Sequence, residues 1–131
     1  MSSCSPPSEG LASAVLDEQA LSRLRELDPS GSGRLLERVF SAFETSATRL
    51  MPQMAQARTD GNLDGVRFVA HTLKSSSASI GATRLWRCCE RAELMAKQGE
   101  SGATLDEQLD MLTGELDCVL AYLRSVRPAS T

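Results

Sequence analysis

Apolar residues recur every three or four positions along most of the chain, which is the spacing of an amphipathic helix. The longest stripe lies near the carboxyl end and comprises Leu105, Leu109, Leu112, Leu116, Val119, Leu123 and Val126. A second stripe comprises Leu63, Val66, Ala70, Leu73, Ser77 and Ile80. Further stripes predict helices over about residues 17–27, 34–58 and 84–97, and no segment has a convincing strand pattern. The pattern therefore predicts an all-α fold.

Loop-forming segments separate these stripes: "DPSGSG" at residues 28–33, "TDGN" at 59–62, "GATR" at 81–84 and "QGESGA" at 98–103. Gly61 and Asn62 are suited to end one helix and begin the next. Pro52 predicts a kink or break near Met51. Thr104 and Glu107 have the spacing of a capping box, which predicts the start of the last helix.

Four long helices with short connections predict an antiparallel, up-down-up-down four-helix bundle with an additional short N-terminal helix. The length of 131 residues fits one domain. We expect residues 1–14, which are rich in serine, proline and glycine, to be disordered. Residues 15–127 are then the helical domain, and 128–131 a flexible tail.

The composition is that of a soluble globular protein, with 41% hydrophobic and 24% charged residues and a formal net charge of −3. Mild acidity argues against binding to nucleic acid. No apolar run approaches the roughly 20 residues that cross a bilayer, and the N-terminus lacks the pattern of a secretory signal. These features predict a cytoplasmic protein with no membrane or nucleic-acid partner.

The four cysteines are Cys4, Cys88, Cys89 and Cys118. Two of them are adjacent, so they cannot form a C-x-x-C metal or redox pair. We expect reduced thiols that pack as small hydrophobic groups. A metal or redox site that combines these cysteines with His71 is the weaker alternative.

The single histidine lies in "AHTLKSSSASIGA", residues 70–82. An α-helix turns by 100° per residue. On this geometry, the residues on the same side of the helix as the histidine point, on average, roughly 160° around the helix axis from the apolar stripe. This group comprises Phe68, His71, Ser75, Ala78, Ser79 and Ala82. A lone exposed histidine is most often an ordinary surface residue. The small neighbours and an exposed phenylalanine favour a docking face at which a partner reaches the imidazole.

Lys74 lies three residues after His71, so the two side chains are neighbours on the helix surface. A nearby ammonium disfavours the protonated imidazole and can offset charge on phosphoryl oxygens. The chain has no G-x-x-x-x-G-K-[ST] nucleotide loop and no defensible Ser-His-Asp or Cys-His arrangement. We therefore expect that the protein has no ATP site and is not an enzyme. A phosphoryl group on His71 would come from another protein.

The segment "HTLKSSSASIGA" resembles the signature His-x-Leu-Lys-Gly-x-Ser-x-x-x-Gly-Ala of histidine-containing phosphotransfer (HPt) domains. The matching positions are His71, Leu73, Lys74, Ser77, Gly81 and Ala82. "LWRCCERAE", which follows, resembles the next helix of these domains. The order of helices fits the family from about residue 15 to 127.

The resemblance implies a phosphorelay carrier. His71 would accept the phosphoryl group through Nε2, and Lys74 would stabilise its oxygens. Small residues at Ser75 and Ala78 would admit the partner, and Ser77 and Gly81 would support local packing. The implied partners are the receiver domains of a hybrid sensor kinase and of a response regulator. The resemblance also implies a monomer that holds no metal or cofactor, since the Mg²⁺ belongs to the receiver.

Two positions depart from the family pattern. Ser75 stands where glycine is common, and Glu93 corresponds to a glutamine in many relatives. Glu93 could hydrogen-bond His71 and orient it, could repel phosphate, or could be an exposed helix charge. The alternative function is a non-catalytic helical adaptor that binds or sequesters a receiver domain without transfer.

Overall fold

The computed structural model describes residues 16–126, which form five α-helices and no strand. The helices are α1 (Glu18–Leu27), α2 (Leu35–Asp60), α3 (Leu63–Ile80), α4 (Thr83–Lys97) and α5 (Ala103–Val126). The predicted disordered segment 1–14 and the predicted tail 128–131 lie outside the described residues.

The four long helices form the predicted antiparallel bundle. Helix α3 packs between α2 and α4, α5 packs against α4 and closes the bundle against α2, and α1 lies against α2 and α3. In the last helix, the predicted stripe runs from Leu105 to Val126, and its members from Leu105 to Leu123 are buried. The all-α prediction and the additional N-terminal helix are confirmed.

The spacing of Leu85, Cys88, Ala92 and Met95 predicts the apolar face of α4, and this prediction is wrong at Cys88. The buried positions of this helix include Leu85, Cys89, Ala92 and Ala96, spaced by four, three and four residues. This spacing puts Cys89 at the centre of the buried face and leaves Cys88 half-buried at its edge. Both are free thiols, as predicted.

Cys118 is an exception to the prediction that the cysteines are reduced. This buried residue is disulfide-bonded. The expected role as a small buried side chain holds, but the expected redox state does not.

Of the kink or break predicted near Met51, the break does not occur, because α2 continues through Pro52. Proline removes one backbone hydrogen bond, to the carbonyl four residues earlier. Pro52 is exposed, so water can reach that carbonyl. Leu50 and Met54 are buried on either side of the proline and hold both halves of the helix against the core.

The capping box predicted for the last helix is also wrong. Helix α5 begins at Ala103, and the amide of Asp106 already donates to the carbonyl of Gly102. Thr104 therefore lies within the first turn. The predicted boundary between α2 and α3 is confirmed: Gly61 ends α2 at φ 65°, and the side chain of Asn62 accepts a hydrogen bond from the amide of Gly65 at 3.0 Å.

Gly81 ends α3 and contacts the beginning of α1. It adopts φ 74°, in the left-handed region that favours glycine. Its carbonyl accepts a hydrogen bond from the amide of Asp17 at 2.6 Å. A Cβ on Gly81 would lie 2.7 Å from the Cβ of Ala20. The absent side chain thus allows α1 to approach the α3–α4 turn.

We expect Gly81→Ala to destabilise the protein by about 2–3 kcal/mol, from left-handed strain plus displacement of α1. Gly61→Ala is the matched control, since Gly61 has a similar positive φ and a Cβ there would meet no atom within 4 Å. This control should lose only about 1 kcal/mol. Urea unfolding measures both changes, and equal losses would show that the contact with α1 adds nothing.

Candidate functional site

His71 lies in the middle of α3 with its side chain 62% exposed. Phe68, one turn earlier, is 60% exposed. Ser75, Ala78 and Ser79 are exposed along the same helix. The structure therefore brings these five residues to one solvent-facing surface, as the helical geometry predicts.

Ala82 does not belong to this surface, and its predicted place on the docking face is wrong. It is fully buried. The prediction extended the 100° rotation of α3 beyond its end, but α3 ends at Ile80 and Gly81 turns the chain. Ala82 precedes the first residue of α4 and faces the core.

Ser77, predicted to support local packing, is fully buried in the contact between α3 and α4. Its hydroxyl donates to the carbonyl of Leu73 at 2.8 Å, so this polar group is paired. It also contacts the thiol of Cys89. Burial is the largest effect on that thiol and raises its pKa to about 12, so Cys89 is protonated at neutral pH.

The described residues do not support the metal or redox alternative built on His71 and the cysteines. Within residues 16–126, no group of three or more His, Cys, Asp or Glu side chains is placed to hold a metal ion. Burial also raises the pKa of Cys88, which disfavours a reactive thiolate. Over the same residues, no helix is both long and apolar enough to cross a bilayer.

Glu93 on α4 contacts the imidazole from the neighbouring helix. Its Oε2 lies 2.9 Å from Nδ1 of His71, and its side chain is only 14% exposed. The interpretation of Glu93 as an exposed helix charge is therefore wrong. An ionised carboxylate can only accept a hydrogen bond, so the contact assigns the ring proton to Nδ1. The neutral ring then presents the lone pair of Nε2 away from Glu93.

Lys74 reaches His71 through Glu93. Its Nζ lies 2.8 Å from Oε1 of Glu93, and 5.9 Å from the ring centroid of Trp86 on α4. The close contact with Glu93 raises the pKa of Lys74, although burial opposes this. Burial raises the pKa of Glu93, but its contacts with Lys74 and His71 together outweigh burial and lower it. Both groups are thus charged at neutral pH.

The two shifts predict how this ion pair responds to pH. Because the pKa of Glu93 is lowered in the folded protein, its stabilisation is complete above the ordinary glutamate pKa and is lost as pH falls through the lowered value. Because the pKa of Lys74 is raised, its stabilisation is lost only as pH rises past the ordinary lysine value. The pair is therefore intact across the neutral range.

We expect Glu93→Gln to be less stable than the wild type at neutral pH and to approach it on acidification. The glutamine keeps the shape of the side chain but has no charge to lose. The free energy of unfolding of both proteins, measured in urea from about pH 7 to about pH 3, tests this. A difference that stays constant over that range would show that the charge of Glu93 contributes nothing.

Comparison with known proteins adds one match. The family model of the Hpt domain matches residues 38–124, about two thirds of the chain and all of the surface described above. No curated protein and no solved structure matches the chain. Hpt domains are phosphocarrier modules that interact with receiver domains. The chain therefore belongs to the Hpt domain family and has a phosphotransfer role in a two-component phosphorelay.

Proposed function

We propose that His71 carries a phosphoryl group between two receiver domains, one of a hybrid sensor kinase and one of a response regulator. The observation that carries this proposal is the pairing of Nδ1 with Glu93 on an exposed imidazole. The pairing leaves Nε2 as the nucleophilic nitrogen, and because the imidazole is 62% exposed, an aspartyl phosphate can approach it from solvent.

In the proposed step, the lone pair of Nε2 attacks the phosphorus of the receiver's aspartyl phosphate. The N–P bond forms as the O–P bond breaks, and the aspartate leaves as a carboxylate. The proton on Nδ1 stays on the ring. The imidazole ring therefore carries a positive charge once Nε2 bears the anionic phosphoryl group. Glu93 accepts the hydrogen bond from that proton and balances the ring charge. Transfer onward is the same step in reverse, with a second aspartate as the nucleophile.

The arriving phosphoryl group is an anion next to the carboxylate of Glu93, so a nearby cation is needed. Lys74 is the residue proposed to provide it. Its ammonium already contacts Glu93 at 2.8 Å and is one helical turn from His71. Rotation of its flexible side chain would bring it to the phosphoryl oxygens, where positioning and electrostatics contribute most to this reaction. The Mg²⁺ required for the chemistry belongs to the receiver in this proposal.

The proposed docking surface consists of Phe68, Ser75, Ala78 and Ser79 around His71. All four are exposed, and three of them are small. A partner's backbone can therefore come close to the imidazole, while Phe68 offers an apolar contact at one side. We propose that one copy of the chain meets one receiver at a time as a monomer, and that both partners are cytoplasmic.

Labelling with phosphate tests the proposal. A purified receiver domain is phosphorylated with radiolabelled acetyl phosphate and Mg²⁺, freed of acetyl phosphate, and mixed with this protein in the presence of Mg²⁺. We expect the label to appear on the protein as an acid-labile, base-stable phosphate, as a phosphohistidine requires. If a receiver binds stably but no labelled phosphate passes from it to this protein or back, the result would contradict the proposal and favour the adaptor function.

A further inference from the structure

We propose that Trp86 is a positioning residue that holds Lys74 at rest, and thereby sets how strongly His71 retains a phosphoryl group. The inference rests on the proposed function and concerns a residue outside the family signature. Trp86 is the only tryptophan of the chain. It lies half-buried on α4, two helical turns before Glu93.

Two groups flank the ammonium of Lys74 in its resting position. One is Oε1 of Glu93, 2.8 Å from Nζ, and the other is the indole ring, whose centroid lies 5.9 Å from Nζ. Glu93 contacts the ammonium through one oxygen, whereas the ammonium of a lysine has three N–H groups on a flexible four-carbon chain. The position of the ammonium is therefore not fixed by Glu93 alone. The face of an indole ring attracts a cation at this distance and restricts where the ammonium lies.

This resting place lies on the Nδ1 side of the imidazole, because Glu93 contacts both Nδ1 and the ammonium. A phosphoryl group on Nε2 would lie on the other side of the ring. Lys74 must move away from the indole to contact the phosphoryl oxygens. An interaction present in only one of two states shifts the equilibrium towards that state. The contact with Trp86 therefore favours the unphosphorylated protein and eases release of the group to the next receiver.

The equilibrium of transfer with one labelled receiver tests this. Trp86→Leu should raise the ratio of phosphorylated to unphosphorylated protein roughly 3- to 5-fold, because the leucine cannot attract the cation. Trp86→Phe keeps an aromatic face and should stay within about 2-fold of the wild type. Urea unfolding verifies that both variants are folded, and equal ratios for Trp86→Leu and the wild type would overturn the inference.

A double-mutant cycle separates an effect through Lys74 from a general packing effect. In a Lys74→Met background there is no cation to hold, so Trp86→Leu should leave the ratio unchanged. If Trp86→Leu shifts the ratio equally in both backgrounds, the tryptophan acts by packing and the inference is wrong.

The fluorescence of this single tryptophan gives a second reading. Its emission should change when His71 is phosphorylated in the wild type and should not change in Lys74→Met that has been phosphorylated to the same extent. Identical changes in the two proteins would contradict movement of Lys74. The two proposals fail differently: a wild type that accepts no label contradicts the proposed function. A labelled wild type with no effect of Trp86→Leu contradicts this inference alone.

Discussion

We expect His71→Gln to accept no phosphate from a labelled receiver, whereas the wild type is labelled under the same conditions. The chain has only one histidine, so no second imidazole can replace it. A glutamine amide can still donate a hydrogen bond to Glu93, but its nitrogen is not a nucleophile because its lone pair is delocalised into the carbonyl. The expected loss is at least about 1,000-fold in the rate of labelling, the size of effect seen when a reacting nucleophile is removed.

The fold should survive this substitution, and that makes the result interpretable. The side chain of His71 is 62% exposed, and its described contact is the one with Glu93. Substitutions at such exposed positions change stability by about 0.5 kcal/mol or little more. Urea unfolding checks this, and binding of the unphosphorylated receiver checks that the docking surface is intact. A His71→Gln protein that still acquires an acid-labile, base-stable label would show that another residue carries the phosphate.

The helices could be predicted from the sequence because each of the four long ones has an apolar stripe that is long enough to define its period. The stripe from Leu105 to Leu123 is buried as predicted. The local errors arose where a general rule was applied to a residue without regard to the structure around that residue. Pro52 does not break α2 because it lies on the solvent side, and Ala82 leaves the His71 surface because Gly81 ends the helix.

The site was predictable only where its residues share one helix. The exposure of His71 follows from angles along α3. Its contact with Glu93 joins residues 22 positions apart on two helices, and the periodicity of either helix does not give that distance. The resemblance to the family pointed to Glu93, but nothing in the sequence pattern indicated that Trp86 lies against Lys74. A single tryptophan in the helix after the histidine motif was the signal available.

The same limit applies to the ion pairs that join the helices. Arg58 at the end of α2 contacts Asp106 at 3.1 Å and Asp110 at 3.0 Å, both on the first turns of α5. The two acceptors are four residues apart, so they share one face of α5. The contacts with Asp110 first, and then with Asp106, raise the pKa of Arg58 despite burial. No pattern within α2 indicates these partners, because they depend on how α2 and α5 pack.

The departure from the family signature at Ser75 leads to the second large effect. Ser75→Tyr should lower the rate of transfer from a labelled receiver on the order of 100-fold, because a displacement of about 1 Å between reacting groups can have that effect. Ser75 is exposed one turn after His71, so a tyrosine there would project into the space through which a receiver must approach. The side chain would meet solvent in the free protein, so stability should change little.

Ala121→Tyr is the matched control for added bulk. Ala121 is exposed on α5, which packs against α4 and α2 and so lies across the bundle from α3. This variant should transfer at the rate of the wild type. Ser75→Gly restores the residue common in the family; it should keep the wild-type transfer rate and lose about 0.5–1 kcal/mol of stability, because glycine is unfavourable within a helix. Transfer rates measured over increasing receiver concentration distinguish blocked docking from slower chemistry. If Ser75→Tyr and Ala121→Tyr transfer equally fast, the receiver does not dock over Ser75, and the surface around His71 must be reached from another side.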